Sequence, residues 1–144
     1  MKDHNMFKLI HTIQRINNEH IIKFTKSFSY PIGISPILVL SQLKADGPQK
    51  QVDLADSLGY TKGAMTNIAN KLVTLNLAKK VYDEEDRRTI RLDITPLGET
   101  ALQEAQAIGQ KIFIQHFEVL SEKELEFYME IQEKLMKEIE KSDT

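Results

Sequence analysis

Cysteine is absent from the 144 residues. That excludes disulfides, thiolate zinc sites, iron–sulfur clusters and thiol redox chemistry. An excess of one charge is also absent: 19 Lys and Arg stand against 21 Asp and Glu, a net of −2. The chain as a whole is therefore no polybasic nucleic-acid binder. No apolar run reaches the roughly 18 residues that a membrane-spanning helix needs. The opening MKDHNMFKLI is too polar for the apolar core of a signal peptide, so the expected location is the cytoplasm. There is no phosphate-cradling glycine loop, no nucleophile elbow and no metal-hydrolase helix motif. His4, His11 and His116 make no i, i+4 pair with one another. No enzyme activity, cofactor or metal site is expected. His20 lies on an apolar stripe between Ile16 and Phe24 and reads as a core or interface residue. The length suits one domain, or two small ones sharing a core, with no internal repeat or linker.

What remains is a series of amphipathic segments with clear punctuation. Met6, Leu9, Ile10, Ile13, Ile16, Phe24 and Phe28 recur at helical spacing and predict a helix over residues 4–28. Ser35-Pro36 reads as N-cap and first helical residue of a second helix, with Ile37, Leu38, Leu40 and Leu43 inward. Asp46-Gly47-Pro48 closes it. A short helix follows with Val52, Leu54, Ala55 and Leu58 inward, ending at Gly59. Thr61 caps the next helix, whose apolar face is Ala64, Met65, Ile68, Leu72 and Val73, and which stops near Asn76. Leu77–Tyr82 and Ile90–Thr95 read as strands of a hairpin. Thr95-Pro96 opens a helix through Ala101, Leu102, Ala105, Ile108 and Ile112. Ser121 with Glu124 forms a capping box for a last helix carrying Leu125, Tyr128, Met129, Leu135, Met136 and Ile139.

A short helix, a turn containing Gly59-Tyr60 and a second helix make a helix-turn-helix, and the hairpin directly after it makes a winged helix. The hairpin tip, DEEDRRTIRLDIT, sets Arg87 and Arg88 where a wing meets DNA backbone or minor groove. Arginine suits both, because its fork matches phosphate and narrow minor grooves attract it. Asp86 and Arg88, two residues apart, can pair and stiffen the tip. Asp83, Glu84 and Glu85 would face away from DNA, balanced by Lys79 and Lys80.

Residues 36–99 resemble the MarR family of winged-helix transcriptional regulators. The resemblance is carried by LADSLGYTKGAMTNIANKLVTLNLAKKVYDEEDRRTIRLDITPLGE, and most specifically by Asp86-Arg87-Arg88 followed by Leu92, Ile94, Thr95 and Gly98. It implies a mainly α fold with a small β-hairpin. A winged helix-turn-helix over residues 34–95 would be flanked by helical dimerisation regions, 1–33 and 96–144. It also implies a homodimer whose terminal helices intertwine, and whose winged helices face successive major grooves of a palindromic double-stranded operator. The broad apolar faces of the terminal helices independently call for a partner surface.

On this resemblance, Thr61 caps the recognition helix and meets phosphate. Lys62, Gly63, Ala64, Thr66 and Asn67 lie within reach of base edges, and Asn70 and Lys71 lie nearer the backbone. Arg88 is the wing arginine, Asp86 its partner and Arg87 a phosphate contact, with Gln49, Lys50 and Gln51 as further phosphate candidates. Asn67 stands where many relatives have arginine, Glu84 where proline is common, and Asn76 where glycine is frequent. The resemblance also points to a small aromatic effector, with Phe24, Phe28, Tyr30, Ile34, Leu38 and Ile108 as lining residues. The resulting expectation is a ligand-responsive, DNA-binding repressor. The competing class is a protein-interaction module that keeps the fold but has lost operator binding. Retention of Lys62, Asp86, Arg87 and Arg88 together argues for the first.

Overall fold

The computed structural model describes residues 2–142. It contains six helices and one two-stranded antiparallel sheet. In chain order these are α1 (Lys2–Ser27), α2 (Ile34–Asp46), α3 (Gln51–Leu58), α4 (Lys62–Thr74), β1 (Ala78–Tyr82), β2 (Ile90–Ile94), α5 (Pro96–Phe117) and α6 (Glu122–Ser142). The chain divides into two compact units, Met1–Gly109 and Gln110–Thr144. No helix among the described residues is long and apolar enough to cross a membrane.

The first unit is the winged helix with α1 and the start of α5. Its core is formed by Val39, Leu40 and Leu43 of α2, Leu54 of α3, Met65 and Leu72 of α4, Leu77, and Leu92 of β2, all fully buried. Ala101, Leu102 and Ala105 of α5 join it. The start of α2 and its inward face differ from the sequence expectation. The N-cap of α2 is Gly33, not Ser35, so Ile34, Ser35 and Pro36 form the first turn. A first turn has no use for its own N–H groups, so proline is accommodated at any of these positions and not only at the first. The inward face of α2 contains Val39, while Leu38 is 45% exposed. Four consecutive apolar residues, Ile37 to Leu40, leave the helical phase undetermined by pattern alone.

Val52 also departs from expectation: it points outward on α3, with Leu54 and Ala55 inward. On α4 the buried face is Met65, Ala69 and Leu72, and Ala64 is exposed. Gly59 ends α3 in the left-handed conformation at φ 74°. Asn76, just past α4, is the one non-glycine residue with positive φ among those described, at 62°. β1 pairs with β2 from Ala78 opposite Ile94 to Tyr82 opposite Ile90. Gln49 adds a single bridge on the far side of β2. Its N–H donates to the Leu92 carbonyl at 3.0 Å, and its carbonyl accepts from Leu92 N–H at 2.7 Å.

Most of the apolar stripe of α1 is uncovered. Phe24 is buried, as is Phe28 just beyond the helix, whereas Met6, Phe7, Leu9, Ile10, Ile13 and Ile16 are exposed. The second unit consists of the end of α5 and α6. Its connecting turn holds the expected capping box: Ser121 N–H donates to Glu124 Oε1 at 2.9 Å and Glu124 N–H to Ser121 Oγ at 3.1 Å. Phe117 stacks on Phe113 and meets Tyr128 edge-on, with centroids 5.9 and 5.5 Å apart. No side chain of α6 is buried.

Candidate nucleic-acid interface

The recognition helix is α4. Its apolar residues Met65, Ala69 and Leu72 hold it on the core, which turns Lys62, Gly63, Ala64, Thr66, Asn67, Asn70 and Lys71 to solvent together. Thr61 adopts an extended N-cap conformation, and its Oγ1 accepts from Ala64 N–H at 3.1 Å. Accepting leaves the Thr61 hydroxyl proton available to a phosphate oxygen, beside the unpaired N–H groups of the first helical turn. Thr66 behaves oppositely. Its hydroxyl donates to the Lys62 carbonyl at 2.9 Å, so toward a base edge it offers lone pairs and a methyl group. Gly63 has open space where a Cβ would stand. The glycine is therefore not required by the fold, and it lets the helix backbone approach a surface closely.

The wing tip is built around Asp86. Its Oδ1 accepts from Arg88 N–H at 3.1 Å and from Arg88 Nε at 3.4 Å, and its Oδ2 accepts from the Thr89 hydroxyl at 3.2 Å. Thr89 N–H donates to the Asp86 carbonyl at 2.9 Å, and Asp83 N–H to the Thr89 carbonyl at 3.1 Å. One carboxylate thus closes the turn and holds the first part of the Arg88 side chain, while that side chain remains 95% exposed. The Arg88 backbone N–H lowers the Asp86 pKa most. Desolvation opposes this, and the Arg88 and Thr89 side-chain bonds and the positive charge of Lys50 lower it further.

Asp83 is also engaged. Asp83 Oδ1 accepts from Glu85 N–H at 3.1 Å, and Asp83 Oδ2 lies 3.8 Å from Arg91. Arg91, not Lys79 or Lys80, is the partner of Asp83. Gln49 Oε1 is buried without a hydrogen-bond partner among the described residues.

Thr89 was missed by sequence reasoning as a wing residue. Its signal was only its place three residues after Asp86, a common spacing for a side chain that closes a turn. Exposed Lys80 and Tyr82 also lie on β1, on the sheet face that carries Leu92. Among the described residues, no group of three His, Asp or Glu side chains is placed to hold a metal ion.

The six residues proposed for an effector are only partly brought together. Phe24, Phe28 and Tyr30 form a continuous aromatic run, with centroid separations of 5.0 and 5.5 Å. Phe28 and Tyr30 line an open hollow of about 480 Å³ with Thr25, Ser29, Pro31, Ile32 and Gly33. Ile34, Leu38 and Ile108 are not among its walls. The hollow is braced by Glu104, whose carboxylate accepts from Ser29 Oγ at 2.6 Å and Ser29 N–H at 2.8 Å. Those two bonds, the hydroxyl's first, lower the Glu104 pKa.

Comparison with known proteins agrees with this geometry. The model of the MarR family matches residues 34–90. YpoP of Bacillus subtilis (strain 168), a helix-turn-helix-type transcriptional regulator, is 30% identical over 69% of this chain and 70% of its own length. MdtR of the same organism, a helix-turn-helix-type transcriptional repressor, is 30% identical over 65% of this chain. The chain spans 61% of the length of MdtR. Among solved structures, a MarR family protein from Bacillus stearothermophilus superposes with a TM-score of 0.79, covering 96% of this chain and 98% of that one at 18% identity.

Proposed function

The chain belongs to the MarR family of DNA-binding transcriptional regulators, which are not enzymes, and on that premise we propose that it is a ligand-responsive repressor that binds a palindromic operator as a homodimer. The observation that carries this reading is the joint presentation of two DNA-reading elements. The polar face of α4 is wholly exposed, and Arg88 projects from a tip closed by Asp86. In this reading α4 enters the major groove and Arg88 the flanking minor groove. Thr61, Lys71 and Arg87 meet phosphate. Lys62, Gly63, Ala64, Thr66, Asn67 and Asn70 lie along the groove.

The homodimer is supported by the exposed apolar residues of α1 and of α6. On this reading residues 1–33 and 96–144 form the dimerisation region and residues 34–95 the DNA-binding domain. Two-fold symmetry then sets half-site centres about 10 base pairs apart. The repressor role follows that of the similar repressor MdtR. Ligand response is supported by the hollow beside Phe28 and Tyr30, whose apolar rings suit a small aromatic molecule. The protein is expected to act in the cytoplasm, where its DNA lies.

The test is binding-site selection from random duplex, with the complex sized by sedimentation. The expected result is an inverted repeat bound by two chains. Absence of any enriched sequence, or enrichment of a single half-site bound by one chain, would overturn the reading.

A further inference from the structure

The end of α4 and the start of α5 share one hydrogen-bonded joint. The Thr95 hydroxyl donates to the Asn76 carbonyl at 2.6 Å and accepts from Gly98 N–H at 2.9 Å. Its single proton and an oxygen lone pair thus serve two different elements. The bond from Gly98 is an ordinary helix cap for α5. The bond to Asn76 adds nothing to capping, because it crosses to the residue that ends the recognition helix.

The backbone reinforces the crossing. Leu77 N–H donates to the Leu72 carbonyl at 2.9 Å, while the Leu77 carbonyl accepts from Thr95 N–H at 3.2 Å. Leu77 is fully buried between the two. Gly98 completes the joint by absence of a side chain. A Cβ at Gly98 would overlap the Leu77 carbonyl oxygen and stand 2.8 Å from Ile94 Cγ1. Asn76, at φ 62°, turns its carbonyl into place in a conformation that most residues avoid. By contrast, the other polar link from this part of α5, Lys44 Nζ to Glu99 Oε1 at 3.0 Å, is half exposed and constrains little.

We propose that Thr95 and Gly98 are positioning residues for operator recognition. They fix the angle at which α4 leaves α5, and so the direction in which each half of the dimer presents its recognition helix. The proposal rests on the homodimer–operator reading above, because only a paired molecule converts that angle into a distance between half-sites.

Aspartate separates the two jobs of Thr95. It is a good helix cap, so Thr95→Asp keeps the bond from Gly98 N–H. It carries no proton at neutral pH, so it cannot donate to Asn76 and instead sets a carboxylate against a carbonyl oxygen. Thr95→Ser keeps both bonds. Gly98→Ala leaves every polar group in place and wedges the joint open. Each variant and the wild type are assayed on a panel of operators whose half-site spacing is varied one base pair at a time.

Thr95→Ser should match wild type. Thr95→Asp should bind the best wild-type operator roughly 10-fold more weakly, the loss of about one hydrogen bond to a polar partner, with a broadened spacing preference. Gly98→Ala should shift the preferred spacing. The salt dependence should be unchanged in all, since no phosphate contact is altered. Wild-type affinity and spacing preference in Thr95→Asp or Gly98→Ala would overturn the proposal. If Thr95→Asp fails to melt cooperatively, Thr95→Val replaces it, and a wild-type spacing profile there overturns the proposal equally. Failure of the wild type itself to prefer any spacing strikes the operator reading instead.

Discussion

Arg88 and Asp86 act as a unit at the wing, and their substitutions should differ in kind. Arg88→Ala should weaken operator binding and reduce the slope of log affinity against log salt by about one, because one cation at the minor groove, and the counterion it displaces, is lost. Asp86→Ala should also weaken binding although it removes a negative charge, since the carboxylate that holds Arg88 N–H and Nε is gone. Tighter binding by Asp86→Ala would mean that the carboxylate only repels DNA. Gly63 offers a test in which stability and affinity move oppositely. Its Cβ position is open, so Gly63→Ala should stabilise the free protein by up to about 1 kcal/mol in thermal melts while lowering operator affinity. Higher affinity in that variant would place Gly63 away from the groove. Asn67 carries a donor and an acceptor that match adenine, so Asn67→Arg should shift the selected site toward G·C. The placement of these residues on α4 and the wing was legible in the sequence because both elements are local: the apolar period and the spacing of Asp86 from Arg88 mark them. The bridge from Thr95 to Asn76 was not legible. It joins residues 19 apart through a backbone oxygen, which leaves no mark on residue type.

Helix boundaries were readable where a side chain closes them and less so where none does. Thr61, Ser121 with Glu124, and Thr95 all cap as their sequence contexts indicate. Gly33 caps α2 with no side chain at all, and the pattern at Ser35-Pro36 misplaced that start. The cap on the recognition helix is testable alone: Thr61→Ala should cost about 1 kcal/mol of stability in chemical denaturation. The brace between the end of α1 and α5 should be visible in pH titration. Glu104 is held below its ordinary range by Ser29, so its contribution to stability is present above the ordinary glutamate range and is lost as pH falls through the lowered value. Ser29→Ala removes the hydroxyl bond and should move the Glu104 midpoint upward in an NMR titration. An unmoved midpoint would show that the backbone N–H bond alone sets it.

For the whole molecule, the sequence already displayed more apolar helix surface than one chain can use, and the fold leaves that surplus on α1 and α6. Deleting residues 121–144 should abolish the dimer and operator affinity together, as read by sedimentation and gel shift. A soluble monomer with full operator affinity would contradict the paired arrangement. The bare face of α6 also bears on how long a copy of the protein survives. On the proposed homodimer reading, pairing shelters this face, and a solitary chain offers a cellular protease an exposed helix. Orphan copies should therefore be cleared first, and the standing amount of regulator should rise more steeply than its rate of synthesis. In a dilution series under limited proteolysis, cleavage within 122–142 should slow as protein concentration rises. A rate indifferent to concentration would mean that pairing does nothing to protect α6.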